Sequence, residues 1–179
     1  INKIVTRQMG SGGLAVWPGN YQPDNWVTSY AGHFMAEAER KGYTIPQDFR
    51  RKWTSYQKNE AQGWKYDPKF RHTANDQAYR LFSLALAGSP ERGAMNRLRE
   101  SRDIPQLARW LLAAAYAVSG RPEASAELLD MRKLETETEY YGWYYGSQLR
   151  DKSIILYTLA TLKKEEEALP LLRQVCDEL

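Results

Sequence analysis

Leu107-Ala108-Arg109-Trp110-Leu111-Leu112-Ala113-Ala114-Ala115-Tyr116-Ala117-Val118 is apolar on nearly every side when wound as a helix, with Arg109 its one charge. Ser119-Gly120-Arg121-Pro122 follows, and then a stretch to Arg132 whose apolar residues fall on one side only. A helix that is apolar all round must be covered all round, whereas a one-sided helix belongs on an outer layer. Gly120 is a helix stop, and Pro122 suits a first helical turn. The stretch therefore reads as a buried helix that turns back into an outer one. The apolar run falls well short of the roughly 20 residues a membrane span needs.

The same pair of signals recurs along the chain. The apolar helices are expected at 26–38, 78–87, 107–118 and 153–162, with cores such as Tyr-Ala-Gly-His-Phe-Met-Ala and Ile-Ile-Leu-Tyr-Thr-Leu-Ala. Each precedes a one-sided helix, at 46–62, 89–101, 122–132 and 165–178. Gly42, Gly88 and Gly120 mark stops. Asp24 or Asn25, Thr73, Asp103 and Ser147 are candidate caps, and Pro46, Pro90 and Pro105 suit first turns. Pro170 is expected to kink or delay the last helix. Ile1 to Met9 reads as the tail of an earlier helix, ended by Gly10, Gly12 and Gly13. Residues 138–145 are aromatic enough to be extended, but no strand is expected. The fold class is all-α: successive antiparallel helical hairpins, with Leu111 and Ile155 buried. Ala and Gly on the inner helices permit close approach.

Two architectures suit this pattern. One is an open solenoid, to which the 32-residue interval from Gly88 to Gly120 is favourable. The other is an α/α toroid, in which hairpins close around the inner helices. Unequal hairpins and long aromatic loops favour the toroid.

Composition narrows the function. The chain has 179 residues, formal charge +3 and one Cys, which excludes an internal disulfide framework or a Cys-rich zinc module. Residues 1–120 carry 17 Lys/Arg against 10 Asp/Glu, and 121–179 carry 8 against 12. The basic stretch 40–71 is interleaved with aromatics, but Phe49, Trp53 and Tyr56 form one helix stripe. Arg50, Arg51, Lys52 and Lys58 lie mostly off it, so no nucleic-acid partner is inferred. The chain opens at Ile1, which suggests a fragment of a longer, multidomain protein.

Gly12-Gly13-Leu14-Ala15-Val16-Trp17-Pro18-Gly19, followed by Trp26-Val27-Thr28-Ser29-Tyr30-Ala31-Gly32-His33-Phe34, resembles the thioester-type α/α-toroid domain of bacterial alpha-2-macroglobulin family proteins. The resemblance continues through Gln77-Ala78-Tyr79-Arg80-Leu81, Leu84-Ala85-Leu86-Ala87-Gly88, Leu111-Leu112-Ala113-Ala114-Ala115-Tyr116 and Gly146-Ser147-Gln148-Leu149-Arg150-Asp151-Lys152. It implies one partial toroid domain over 1–179, with fewer hairpins than such a ring usually holds. It further implies a protease-trapping, endopeptidase-inhibiting parent that defends the envelope. The parent would be periplasmic and membrane-anchored through lipid. Its partners would be proteases, through the parent, and other macroglobulin-type domains of the same chain. The family's Cys-x-x-Gln thioester is expected upstream and is absent here, since Cys176 is followed by Asp177, Glu178 and Leu179. Where the ring is cut, exposed inner faces are expected to self-associate.

No catalytic, cofactor or metal residue is assigned. His33 and Glu37, one turn apart, and His72 lack His-Glu-x-x-His spacing, so His33 reads as a hydrogen-bonded structural residue rather than a zinc ligand. Gly10-Ser11-Gly12-Gly13 reads as a turn, not a phosphate loop. Tyr141, Trp143 and Tyr144, in the cluster 140–146, are a candidate binding surface for a sugar or peptide, or else a plug for the ring's mouth. Glu37, Glu135, Glu137 and Glu139 admit an α/α-barrel glycoside hydrolase or lyase only if carboxylates converge on the concave face. A helical-repeat peptide-binding scaffold is the third alternative. Arg150 and Asp151 are expected to form a local ion pair, and Cys176 to be a half-buried thiol.

Overall fold

The computed structural model describes residues 1–17, 19–129 and 147–179. Among them are α1 (Asn2–Val5), α2 (Asn25–Arg40), α3 (Gln47–Gly63), α4 (Thr73–Leu86), α5 (Arg92–Glu100), α6 (Gln106–Val118), α7 (Pro122–Leu128), α8 (Gln148–Thr161) and α9 (Glu165–Asp177). One 3-10 turn, Pro68–Phe70, precedes α4. The only extended pairing among the described residues is an isolated bridge between Gln8 and Leu14. The fold is all-α, as the alternation of apolar and one-sided stretches requires.

Helices α2, α4, α6 and α8 pack side by side in that order, and α3, α5, α7 and α9 cover them in hairpin fashion. Leu111 and Ile155 are fully buried. Burial is nevertheless uneven along the row. Eleven of the 14 residues of α4 and nine of the 13 of α6 are buried. Only six of 16 in α2 and four of 14 in α8 are. The expectation that all four inner helices are covered on every side thus holds for the middle pair alone. The reason is geometric: α4 and α6 have inner neighbours on both flanks, whereas α2 and α8 end the row.

All four inner helices stop in the same way. Ser89 N–H reaches Leu84 O at 2.9 Å and Arg121 N–H reaches Tyr116 O at 2.9 Å, with Gly88 and Gly120 in the left-handed region. Gly42 does likewise after α2, where Tyr43 N–H donates to Ala38 O. These bonds satisfy carbonyls that a helix end leaves open. The fourth stop carries no glycine: Lys163 adopts φ 57° while Lys164 N–H bonds Leu159 O at 2.9 Å.

Several boundaries differ from expectation. Thr73 is the first residue of α4 rather than its cap. Asp103 has φ 57° and does not cap α6, whose N-cap is Pro105. Ser89-Pro90-Glu91 forms the turn before α5 instead of its first residues. The helix near the N-terminus covers only Asn2–Val5. Pro170 sits inside α9 without ending it; the carbonyl it leaves unpaired belongs to Glu166, in an exposed first turn that water can serve. Ser147 does cap α8, accepting from Arg150 N–H at 3.1 Å.

The Gly12-Gly13 turn is wedged rather than loose. A Cβ on Gly12 would lie 2.2 Å from Lys52 O, and one on Gly13 would lie 2.5 Å from Pro23 Cβ. Leu14 N–H donates to Thr28 Oγ1 at 2.9 Å, and Thr28 Oγ1 donates to Asp24 O at 2.6 Å. Trp53 Nε1–H reaches Thr28 O at 2.8 Å. Thr28 therefore ties the glycine turn, α2 and α3 at one buried point.

Candidate functional site

The inner face of the row is concave. Trp26, Tyr30 and His33 recur along one face of α2, and Arg150, Ser153, Ile154 and Tyr157 along one face of α8. With Tyr79 and Phe82 of α4 and Leu111 of α6 they line a cavity of about 280 Å³ that opens to solvent on one side. All four inner helices contribute to its wall.

Aromatic rings set the shape of the cavity. Trp26 lies against Tyr79 with centroids 4.5 Å apart, and the Arg150 guanidinium sits over the Trp26 ring at 4.4 Å. His33 meets Phe82 and Tyr157 edge-on, at 5.5 Å and 5.1 Å. Its Nδ1 lies 3.1 Å from Tyr79 Oη. Tyr157 Oη–H donates to Glu37 Oε1 at 2.6 Å, and Glu37 also receives Arg40 at 2.9 Å. Arg150 is held by Asp151, donating to Oδ1 from Nε at 2.9 Å and from Nη2 at 2.6 Å. The expected local pair is there, and the stacking of Arg150 on Trp26 adds to it.

Burial sets the protonation states. It lowers the His33 pKa, with Glu37 opposing and Arg40 assisting, so the imidazole is neutral near pH 7. It raises the Tyr79 phenol, and it pushes Tyr157 up to about 12 with the Glu37 hydrogen bond adding to the effect. These are proton-retaining groups joined in pairs. His33 is the hydrogen-bonded residue that the sequence suggested, and Glu37 points at Tyr157 and Arg40 rather than at a second carboxylate. His72 lies outside the cavity wall, edge-on to Phe70 at 6.3 Å. Among the described residues no group of three His, Cys, Asp or Glu could hold a metal ion. No helix among them is long and apolar enough to cross a membrane.

The candidate surface residues Tyr141, Trp143 and Tyr144 lie outside the described residues, as do Glu135, Glu137 and Glu139. Cys176 is exposed on α9 rather than half-buried, because Leu171 and Val175 take the inward positions.

Beside the cavity lies a polar cluster that sequence reasoning missed. Arg80, 3% exposed, donates from Nε to Gln57 Oε1 (3.2 Å), from Nη1 to Gln77 Oε1 (2.6 Å) and from Nη2 to Asn25 Oδ1 (2.8 Å). Gln57 passes on to Ser29 Oγ at 3.1 Å, and Gln77 to Ala61 O at 3.0 Å. The one signal available was an Arg in the middle of an otherwise apolar helix.

No protein-family model matches the chain. A curated relative, the alpha-2-macroglobulin of Escherichia coli strain K12, is 27% identical over 183 residues, covering 95% of this chain. The chain spans 11% of that relative's length. Among solved structures, trypsin-activated E. coli alpha-2-macroglobulin superposes with a TM-score of 0.81 at 26% identity, over 99% of this chain and 13% of that one. The native conformation of E. coli alpha-2-macroglobulin gives 0.79 at 26% identity, over 94% of this chain and 11% of that one. Sequence and fold together make this chain the likeness, over nearly its whole length, of a helical segment of the bacterial alpha-2-macroglobulins.

Proposed function

We propose that the chain is a partial α/α-toroid domain, spanning 1–179, of a bacterial alpha-2-macroglobulin-like protein. In this reading it serves a protease-trapping, endopeptidase-inhibiting assembly in the envelope. The observation that carries the proposal is the whole-chain likeness to E. coli alpha-2-macroglobulin in both sequence and fold. The likeness is equally close to a trypsin-activated and a native form. This suits a segment that moves as a body rather than one that refolds.

The placement of exposed apolar residues supports partners of the chain at its first and last hairpins. Tyr30 and Phe34 are exposed on α2, and Leu169 and Leu172 on α9. These helices belong to the first and last hairpins. Helices α4, α5, α6 and α7 carry no exposed large hydrophobic residue. Neighbouring hairpins of the parent, and its other domains, would cover the two ends; without them the chain self-associates.

A non-enzymatic role goes with this reading; His33 and Glu37 are engaged by Tyr79 and Tyr157. A straight peptide-binding solenoid is disfavoured, because α8 reaches α2 through the Tyr157–Glu37 bond. First and fourth helices of a straight stack do not touch. Proteases are the partners proposed for the parent, and a periplasmic, lipid-anchored location goes with them. The test is to incubate the parent protein with trypsin and compare cleavage of a large protein with cleavage of a small peptide. Loss of the first with retention of the second is expected. Equal cleavage of both with and without the protein would overturn the trapping role.

A further inference from the structure

We propose that the cavity between the four inner helices is a binding site for a small uncharged aromatic molecule bearing one hydrogen-bond acceptor. Size, wall chemistry and the state of His33 lead to it independently of the trapping role.

The cavity holds about 280 Å³. An apolar cavity of about 150 Å³ accepts benzene, so a fused bicycle of roughly ten to eleven non-hydrogen atoms suits this one. Trp26, Tyr79, Phe82 and Tyr157 surround it with ring faces and edges, the geometry in which an aromatic guest finds stacked and edge-on partners together. A charged guest is disfavoured. Both phenols hold their protons, His33 is neutral, and the Arg150 guanidinium is bonded to Asp151 and stacked on Trp26.

The wall carries the Tyr30 and Ser153 hydroxyls and, between Tyr79 and Tyr157, the His33 imidazole as a directional group. Nδ1 is the acceptor available to Tyr79 Oη–H among the described residues; in the tautomer that uses it, the phenol donates and the imidazole proton resides on Nε2. Among the described residues Nε2 has no hydrogen-bond partner, yet it is not among the enclosed unsatisfied atoms. It therefore faces accessible space, and His33 is part of the cavity wall. A carbonyl on the guest would accept from it.

1-Indanone, a neutral bicyclic ketone, is the probe, and indane is the same framework without the acceptor. Ligand-observed NMR titration of the full chain should give a saturable 1-indanone site with Kd on the order of 10⁻⁴ to 10⁻³ M. Indane should bind about five- to tenfold more weakly, the worth of one hydrogen bond. His33→Phe should erase that difference. Ser153→Trp, at an exposed position on the rim where folding is not at stake, should abolish binding with helical circular dichroism unchanged. Absence of a saturable site at 5 mM (about fivefold above the weakest expected Kd), undiminished binding to Ser153→Trp, or equal affinity for indane and 1-indanone in the unsubstituted chain would each overturn the proposal.

Discussion

One methyl group added at Gly32 tests how α3 lies on α2. A Cβ there would fall 1.9 Å from Trp53 Cζ2 and 2.2 Å from Cε2, whereas carbon atoms in contact stand about 3.5–4 Å apart. The indole is not free to swing away. It is 2% exposed, and its Nε1–H is bonded to Thr28 O at 2.8 Å. Breaking that bond costs about 0.5–1.5 kcal/mol, and overpacking typically costs about 1–3 kcal/mol, sometimes more. Against these, Ala is favoured over Gly within a helix by about 1 kcal/mol. Gly32→Ala should therefore destabilise the chain by about 0.5–3.5 kcal/mol. Urea unfolding should show a lower midpoint at unchanged slope. Trp53→Phe in the same background removes the colliding atoms, so the double variant should be more stable than the two single losses predict, by at least about 1 kcal/mol. If Gly32→Ala matches the parent, or gains the propensity increment, the indole does not rest on Gly32 and the α2–α3 packing described above is wrong.

Three further outcomes follow from other sites. Burial pushes the Asp76 carboxyl up to about 6, with Arg80 opposing, Asp24 adding to the rise and Arg150 opposing. The fold thus binds this proton more tightly than the unfolded chain, whose carboxyl titrates near 3.8. The stabilising contribution is complete below that value and is lost as pH rises through about 6. Asp76→Asn should then raise stability at pH 8 by up to roughly 2–3 kcal/mol and change it little at pH 3.5. Guanidinium midpoints at the two pH values check this, and equal effects at both would contradict it. Lys163→Gly should stabilise by about 0.5–1 kcal/mol, since Lys163 holds φ 57° where Gly42, Gly88 and Gly120 stand in the other stops; an unchanged or lower melting temperature would refute that. Arg80→Leu should cost about 3–5 kcal/mol by leaving three amide oxygens without donors. Arg80→Lys should not restore it, because one ammonium cannot match the guanidinium's fork; full thermal stability in the Lys variant would show the three bonds to be dispensable.

The legible part of this fold is the part written in local pattern. Leu107 to Val118 carries its own evidence of burial, and Gly88 and Gly120 carry theirs of a left-handed stop. Lys163 occupies the same conformation without any glycine signal, so its stop was visible only as a change of pattern. Asp103 looked like a cap because its type and place suit one, yet its backbone turns left-handed. Its carbonyl instead accepts from Tyr66 Oη at 3.1 Å. Gly32 was legible as a point of close approach, but the neighbour that approaches is the Trp53 indole of the outer layer and not another inner helix. The cavity was least legible. Tyr157 and Glu37, bonded to one another, stand 120 positions apart, and helical periodicity says which face of a helix is apolar without saying which faces meet. That α2 and α8 close on each other is a property of the row's curvature, which no single helix encodes.

The polar groups buried in this row explain why the hairpins hold one arrangement. Apolar contacts alone specify the register of two helices less sharply than directional bonds do, since apolar cores lose uniqueness of packing before they lose stability. Arg80 removes that freedom. Its three donors require Gln57 of α3, Gln77 of its own helix and Asn25 of α2 at once, and a shift of one turn, about 5.4 Å, would leave the guanidinium buried with only Gln77 as partner. Thr28 acts alike through Leu14, Asp24 and Trp53. Both groups lie in the first two hairpins. The second inner pair, α6 and α8, instead meets with α9 through Trp110, Ile155, Leu159 and the α9 residue Leu171, an apolar cluster in which Trp110 Nε1 has no hydrogen-bond partner among the described residues. Register is therefore fixed by geometry at α2–α3–α4 and by shape alone at α6–α8. Local opening should begin at α8 and α9, and native-state hydrogen exchange should find their amides less protected than those of α2 and α4. The reverse order would mean that packing, not the Arg80 and Thr28 bonds, sets the stability of the row.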